Sequence, residues 1–214
     1  MSNKESFLNQ INRLKNFRRV IAIDLTGFGN SRKMKYAYSL DDYVYDVLGV
    51  INELNVNEYD VLAHSFGGRI AVKLAVIDDR LNKLILTGSA GLKPRRSLKY
   101  YAKIYSYKIV KKVFKNRQFS GFGSAEYKML NGFERQSYVK IVNTFLDVLL
   151  GKIKNKTLLI FGALDNQTPL YMAKRFNKKI TNSYLYVIKN AGHFCFVEKP
   201  QEFNVIMWEF LNGD

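Results

Sequence analysis

Apolar positions in this chain alternate between two spacings. They recur at helical intervals at Phe7, Leu8, Ile11 and Leu14 and again at Leu40, Tyr43, Val44, Val47, Leu48, Ile51 and Leu54. Between and after these lie short continuous apolar runs at 59–63, 83–87, 157–161 and 184–188. A further helical pattern extends from residue 66 to about 76. Continuous runs of strand length alternating with amphipathic helices predict an α/β architecture on a mainly parallel sheet, because such strands are covered on both faces. Ser39, followed three residues later by Asp42, marks the start of the 40–54 helix as a capping box.

The junction after the 59–63 run carries the candidate chemistry. Val61-Leu62-Ala63-His64-Ser65-Phe66-Gly67-Gly68 joins a strand to a helix through a serine, with small residues two before (Ala63) and two after (Gly67). A sharp turn that lifts a nucleophile above a sheet requires that smallness. At the start of a helix, free backbone N–H groups face any negative charge that develops beside the serine, and Phe66 N–H is the predicted oxyanion donor. A nucleophilic serine needs a base, and the base needs a carboxylate to orient it. Of the two histidines, His64 belongs to the turn and reads as structural. His193, in Asn190-Ala191-Gly192-His193-Phe194, is then the base. The 157–161 run leads into Gly162-Ala163-Leu164-Asp165-Asn166-Gln167-Thr168-Pro169, which puts Asp165 at a strand end as the acid. Each residue also has a plainer role open to it: Ser65 as a helix cap, Asp165 as a turn former, His193 as a hydrogen-bonded loop residue.

The order Ser65, Asp165, His193 resembles that of the α/β-hydrolases. The segment from Arg19 through Ile23 and Asp24-Leu25-Thr26-Gly27-Phe28-Gly29-Asn30-Ser31 resembles that family's strand and D-x-x-G-x-G-x-S turn, with Asp24 holding the turn. Gly192-His193 with Pro200 downstream is similar to its histidine loop and last helix, and the likeness extends over residues 5–212. Thr87-Gly88-Ser89-Ala90 has no carboxylate, so the other place at which some members carry the acid is empty. The resemblance implies a serine hydrolase acting on a carboxylic ester or related small-molecule acyl substrate, with no metal or organic cofactor. Relatives with such an elbow also include C–C bond hydrolases, thioesterases and acyltransferases.

The family's sheet opens with strands that precede the Asp24 strand, and a His-Gly loop after the third completes the oxyanion hole. Here Met1-Ser2-Asn3-Lys4 leads directly into the first helix, which implies an N-terminally shortened form. The strands ending at Asp24 and His64 are then expected to lack their shared neighbour. They must pair with each other or leave backbone groups unpaired, at roughly 1–3 kcal/mol for each buried group. A hole reduced to Phe66 N–H loses a donor whose removal typically costs about 10²–10³ in turnover. The contrasting expectation from another class is a catalytically impaired chain that acts as a binding protein.

Between residues 91 and 151 the strand signal stops. The resemblance makes 91–151 a helical cap inserted between core segments 1–90 and 152–214. Leu98, Ala102, Tyr105, Ile109 and Val113 form one apolar stripe, and a second helix over about 134–150 carries Tyr138, Ile141, Val142, Phe145, Val148 and Leu149. Gly121-Phe122-Gly123-Ser124 reads as a loop between helices, with a lid hinge as the sharper alternative. Residues 91–117 hold ten Lys and Arg and no acid, out of a net charge of +16 on the 214-residue chain. A solvated basic face is the plain reading of that charge. Weak association with an anionic membrane surface, or attraction of an anionic substrate, is the sharper one. No nucleic-acid fold motif accompanies the charge, so no nucleic-acid partner is expected.

Size and hydrophobic content, 47%, suit one domain with an insertion. No apolar run approaches the ~20 residues of a membrane span, and the start of the chain is polar, so a cytoplasmic location is the expectation. Cys195, the single cysteine, excludes an internal disulfide and reads as a small buried residue next to the histidine loop.

Overall fold

The computed structural model describes residues 3–95, 127, 130 and 132–213. A 3₁₀ turn, Lys4–Phe7, leads into α1 (Leu8–Leu14), and α2 spans Leu40–Glu53. Four strands follow: β1 (Tyr59–His64), β2 (Leu81–Thr87), β3 (Lys156–Gly162) and β4 (Ser183–Ile188). The helices between and after them are α3 (Phe66–Ile77), α4 (Gly132–Val142), α5 (Leu170–Lys179), α6 (Cys195–Glu198) and α7 (Pro200–Asn212).

The sheet order is β1-β2-β3-β4, parallel throughout. Alternation along the strands sorts the core into two layers. Leu84, Leu86, Leu159 and Phe161 pack with Tyr43, Val44, Ile70, Leu74, Met172 and Phe176, beneath α2, α3 and α5. Ile85, Leu158 and Ile160 face Phe196, Phe203, Met207 and Leu211 on the other side, where α1 lies against α7. The capping box of α2 forms as the sequence requires: Ser39 Oγ accepts Asp42 N–H and the Asp42 carboxylate accepts Ser39 N–H.

Two expectations need correction. The run at 19–24 is not a strand: it has no regular secondary structure and no ladder partner among the described residues, and Ile21 is 38% exposed. Residues 19–24 are exposed or part-exposed at the β1 margin of the sheet, where water can meet backbone groups that no ladder takes. The helix expected over 134–150 ends at Val142, because Asn143 Nδ2 and Thr144 Oγ1 donate back to the carbonyls of Val139 and Lys140 and close the last turn. Val148 is consequently solvent-facing rather than part of a stripe. The stripe from Leu98 to Val113, the Gly121–Ser124 loop and the basic residues 96–117 lie outside the described residues.

Gly162 ends β3 against the histidine loop so closely that a Cβ would collide with the carbonyl oxygens of Ala191 and Gly192. Gly162→Ala is expected to cost about 1–3 kcal/mol, because backbone rather than a flexible side chain must move. Urea denaturation of the two proteins measures it.

Candidate active site

Each expected site residue sits at the carboxyl end of a strand. Ser65 follows β1 in a strained conformation, φ +49° and ψ −111°, which non-glycine residues adopt only when their surroundings enforce it. The enforcement is visible. Ser65 N–H donates to Thr87 O at 3.2 Å, and Ser65 O accepts from Gly68 N–H and Ala90 N–H, each at 3.1 Å. The tightest space requirement falls at Gly68, where a Cβ would strike the Ser89 side chain, whereas at Gly67 it would make only ordinary contact with Ala63 at 3.8 Å.

Asp165 Oδ2 accepts from His193 Nδ1–H at 2.8 Å and from Thr168 Oγ1–H at 2.7 Å, while Oδ1 accepts Gln167 N–H and Thr168 N–H at 2.8 and 2.9 Å. Burial acts to raise the Asp165 carboxyl, but the His193 and Thr168 hydrogen bonds outweigh it and hold the group below its ordinary value. The acid is thus an ionised carboxylate with a fixed orientation, and the bond to Nδ1 leaves His193 Nε2 as the free ring nitrogen. Glu198 braces the histidine loop, accepting from Gly192 N–H at 2.7 Å and Phe194 N–H at 3.2 Å.

Ser65, Phe66, Thr168 and the α4 residues Tyr138 and Ile141 line a cavity of about 260 Å³. The Ser65 hydroxyl does not hydrogen-bond the His193 ring in this geometry. Phe66 N–H has no acceptor among the described residues, so it is free to serve as a donor. Across the cavity, Gly27 N–H and Phe28 N–H are already committed to Arg32 O and Leu25 O at 2.9 and 2.8 Å.

His64 is structural, as its position implied, and closer to the site than expected. Its Nε2–H donates to His193 O at 3.0 Å and its ring lies 4.5 Å from that of His193. Asp24 accepts Lys4 N–H and Asn30 N–H and holds its turn. Cys195 is buried, its Sγ 3.3 Å from Thr87 Oγ1, and burial pushes the thiol up to about 11. Among the described residues no cluster of three or more His, Cys, Asp or Glu is placed to hold a metal, and no helix is long and apolar enough to cross a membrane. Sequence reasoning missed Thr168 and Arg69. The Asp-x-x-Thr spacing signals the first, and a cation within the otherwise apolar start of α3 signals the second.

Parallel sheet, strained serine elbow and acid–histidine pair define the class as a hydrolase of the α/β type. A profile of the alpha/beta hydrolase fold matches residues 2–107. The 2-hydroxy-6-oxo-2,4-heptadienoate hydrolase of Pseudomonas putida is 26% identical over 94% of this chain and 81% of its own. The 2-hydroxymuconate semialdehyde hydrolase of Pseudomonas sp. strain CF600 is 27% identical over 91% and 76%. Among solved structures, the meta-cleavage product hydrolase of Pseudomonas fluorescens IP01 overlays with a TM-score of 0.74 at 23% identity, covering 99% of this chain and 86% of that one. An esterase from Exiguobacterium antarcticum overlays at 0.78 and 24% identity, covering 99% and 88%. The fold is that of the α/β hydrolases.

Burial, with the nearby His193 ring, depresses His64 to about 4 from an ordinary 6.5. The folded state therefore holds this imidazole neutral where the unfolded chain binds a proton, so stability is full above about pH 6.5 and is lost as pH falls toward 4, by on the order of 3 kcal/mol. Denaturant unfolding at pH 7 and pH 5 is expected to show a smaller loss for His64→Asn than for the unsubstituted protein.

Proposed function

We propose that this chain is a serine hydrolase of carboxylic esters or related acyl substrates, with Ser65, His193 and Asp165 as its triad. The observation that carries the reading is the 2.8 Å Asp165–His193 pair set beside a strained serine elbow. Ser65 Oγ attacks the acyl carbon while His193 Nε2 takes its proton. The carbonyl electron pair moves onto oxygen and is met by Phe66 N–H. Collapse restores the carbonyl and expels the leaving group, which takes the proton from His193. Water, deprotonated by the same nitrogen, then releases the acid and regenerates Ser65. Residues 91–151 act as the cap over this site, and the α4 side chains on the cavity wall support that assignment. A cytoplasmic setting and a weak contact of the basic cap with anionic membrane belong to the same proposal.

A second reading, cleavage of a carbon–carbon bond in a diketone-type substrate, is favoured by the names of the relatives, which include 2-hydroxymuconate semialdehyde hydrolases. The same residues would carry it.

A fluorophosphonate probe reports an activated serine whatever the substrate. Labelling is expected for the unsubstituted chain and none for Ser65→Ala, and a folded chain that does not label defeats the reading. On an ester that is turned over, Asp165→Asn is expected to lower kcat by about 10⁴, because the histidine is left in the wrong tautomer. Single-turnover kinetics on that ester measure the loss.

A further inference from the structure

Arg69 is a buried cation with no counter-ion among the described residues, set within the cavity that Ser65 also lines. It lies one turn beyond Ser65 on α3 and is 8% exposed. Nη1 donates to the carbonyls of Ile141, at 3.0 Å, and Thr144, which ties α3 to the end of α4. A guanidinium has five N–H donors in a planar fork, so Nε and Nη2 keep three that no acceptor among the described residues takes. Neither atom is sealed from solvent. Glu134, also on the cavity wall, is half-buried and forms no ion pair with Arg69. Burial pulls the guanidinium down to about 10, which leaves it charged at neutral pH.

Two carbonyls can be held by a neutral amide side chain, so a latch uses neither the full charge nor the spare fork. A buried charge without a partner is costly to maintain, and that cost is relieved when an anion enters. We propose that Arg69 anchors a carboxylate of the substrate, received by the Nε–Nη2 edge, while the acyl carbon of the same molecule lies at Ser65. A carboxylate matches that edge in two parallel hydrogen bonds. The cavity, about 260 Å³ and lined among the described residues largely by apolar side chains with Arg69 as their one cation, suits a short aliphatic chain bearing one anionic end. The orientation rests on the proposed role of Ser65, but the anion site does not.

Calorimetric titration of the full chain with hexanoate and with its neutral isostere hexanamide tests the anchor without any turnover. The carboxylate is expected to bind at least about tenfold more tightly than the amide. Arg69→Met is expected to abolish the preference and Arg69→Lys to retain part of it. Equal affinities for the two ligands, no binding of hexanoate at millimolar concentration, or a preference that survives in Arg69→Met would each overturn the proposal, the first two on the unsubstituted protein alone. A chain that prefers the carboxylate yet fails to label with fluorophosphonate keeps the anchor and loses the serine-hydrolase reading. One that labels without the preference does the reverse.

Discussion

Parallel pairing of β1, β2, β3 and β4 is the constraint on which the rest of the molecule depends. It aligns the carboxyl ends of all four strands along one edge, so that the turn after each strand opens into the same space. Ser65 leaves β1 there, Asp165 follows β3 and His193 follows β4. β2 contributes no residue of the proposed triad. Its end instead holds the elbow, through Thr87 O and the Ala90 N–H, and Gly88 gives the His193 ring room: a Cβ at Gly88 would come within 3.1 Å of Nδ1. A slip of one residue between β2 and β3 would exchange the two faces of the core and separate the acid from the elbow.

The polar groups near that edge are buried to different degrees of completion. Asp165 receives four hydrogen bonds, one of them from the His193 ring, so its carboxylate is stable where it stands. His64 is accommodated by staying neutral. Arg69 differs from both: its carbonyl acceptors direct it without neutralising it, and most of its donors are unspent. In a site otherwise this well satisfied, an incomplete shell around a charge marks where a ligand supplies the remainder.

The β1 margin shows how the fold handles a strand with one neighbour. Asp60 interrupts the β1–β2 register and accepts Lys83 N–H through one oxygen and the Arg18 guanidinium through the other, at 2.9 and 3.0 Å. Arg18 continues to Leu211 O and so ties the segment after α1 to α7. The 19–25 segment is thereby held in place by side chains rather than by a ladder, and Asp24 and Thr26 serve their turn and α2 without strand pairing.

Local sequence settled most features whose cause is local, the end of α4 being the exception. Runs of strand length gave β1 to β4, Ser39 and Asp42 fixed the start of α2, and the small residues around Ser65 announced a strained turn, because spacing, capping and steric room are properties of neighbouring residues. The run at 19–24 misled for the same reason: its composition suits a strand, but a strand exists only with a partner, and pairing is not written in the run itself. The end of α4 was decided by side chains of Asn143 and Thr144 turning back on their own helix. His64 against the His193 carbonyl, and the Nε–Nη2 edge of Arg69 that meets no acceptor among the described residues, came from the tertiary structure alone, since which buried polar group meets which acceptor depends here on elements far apart in the chain.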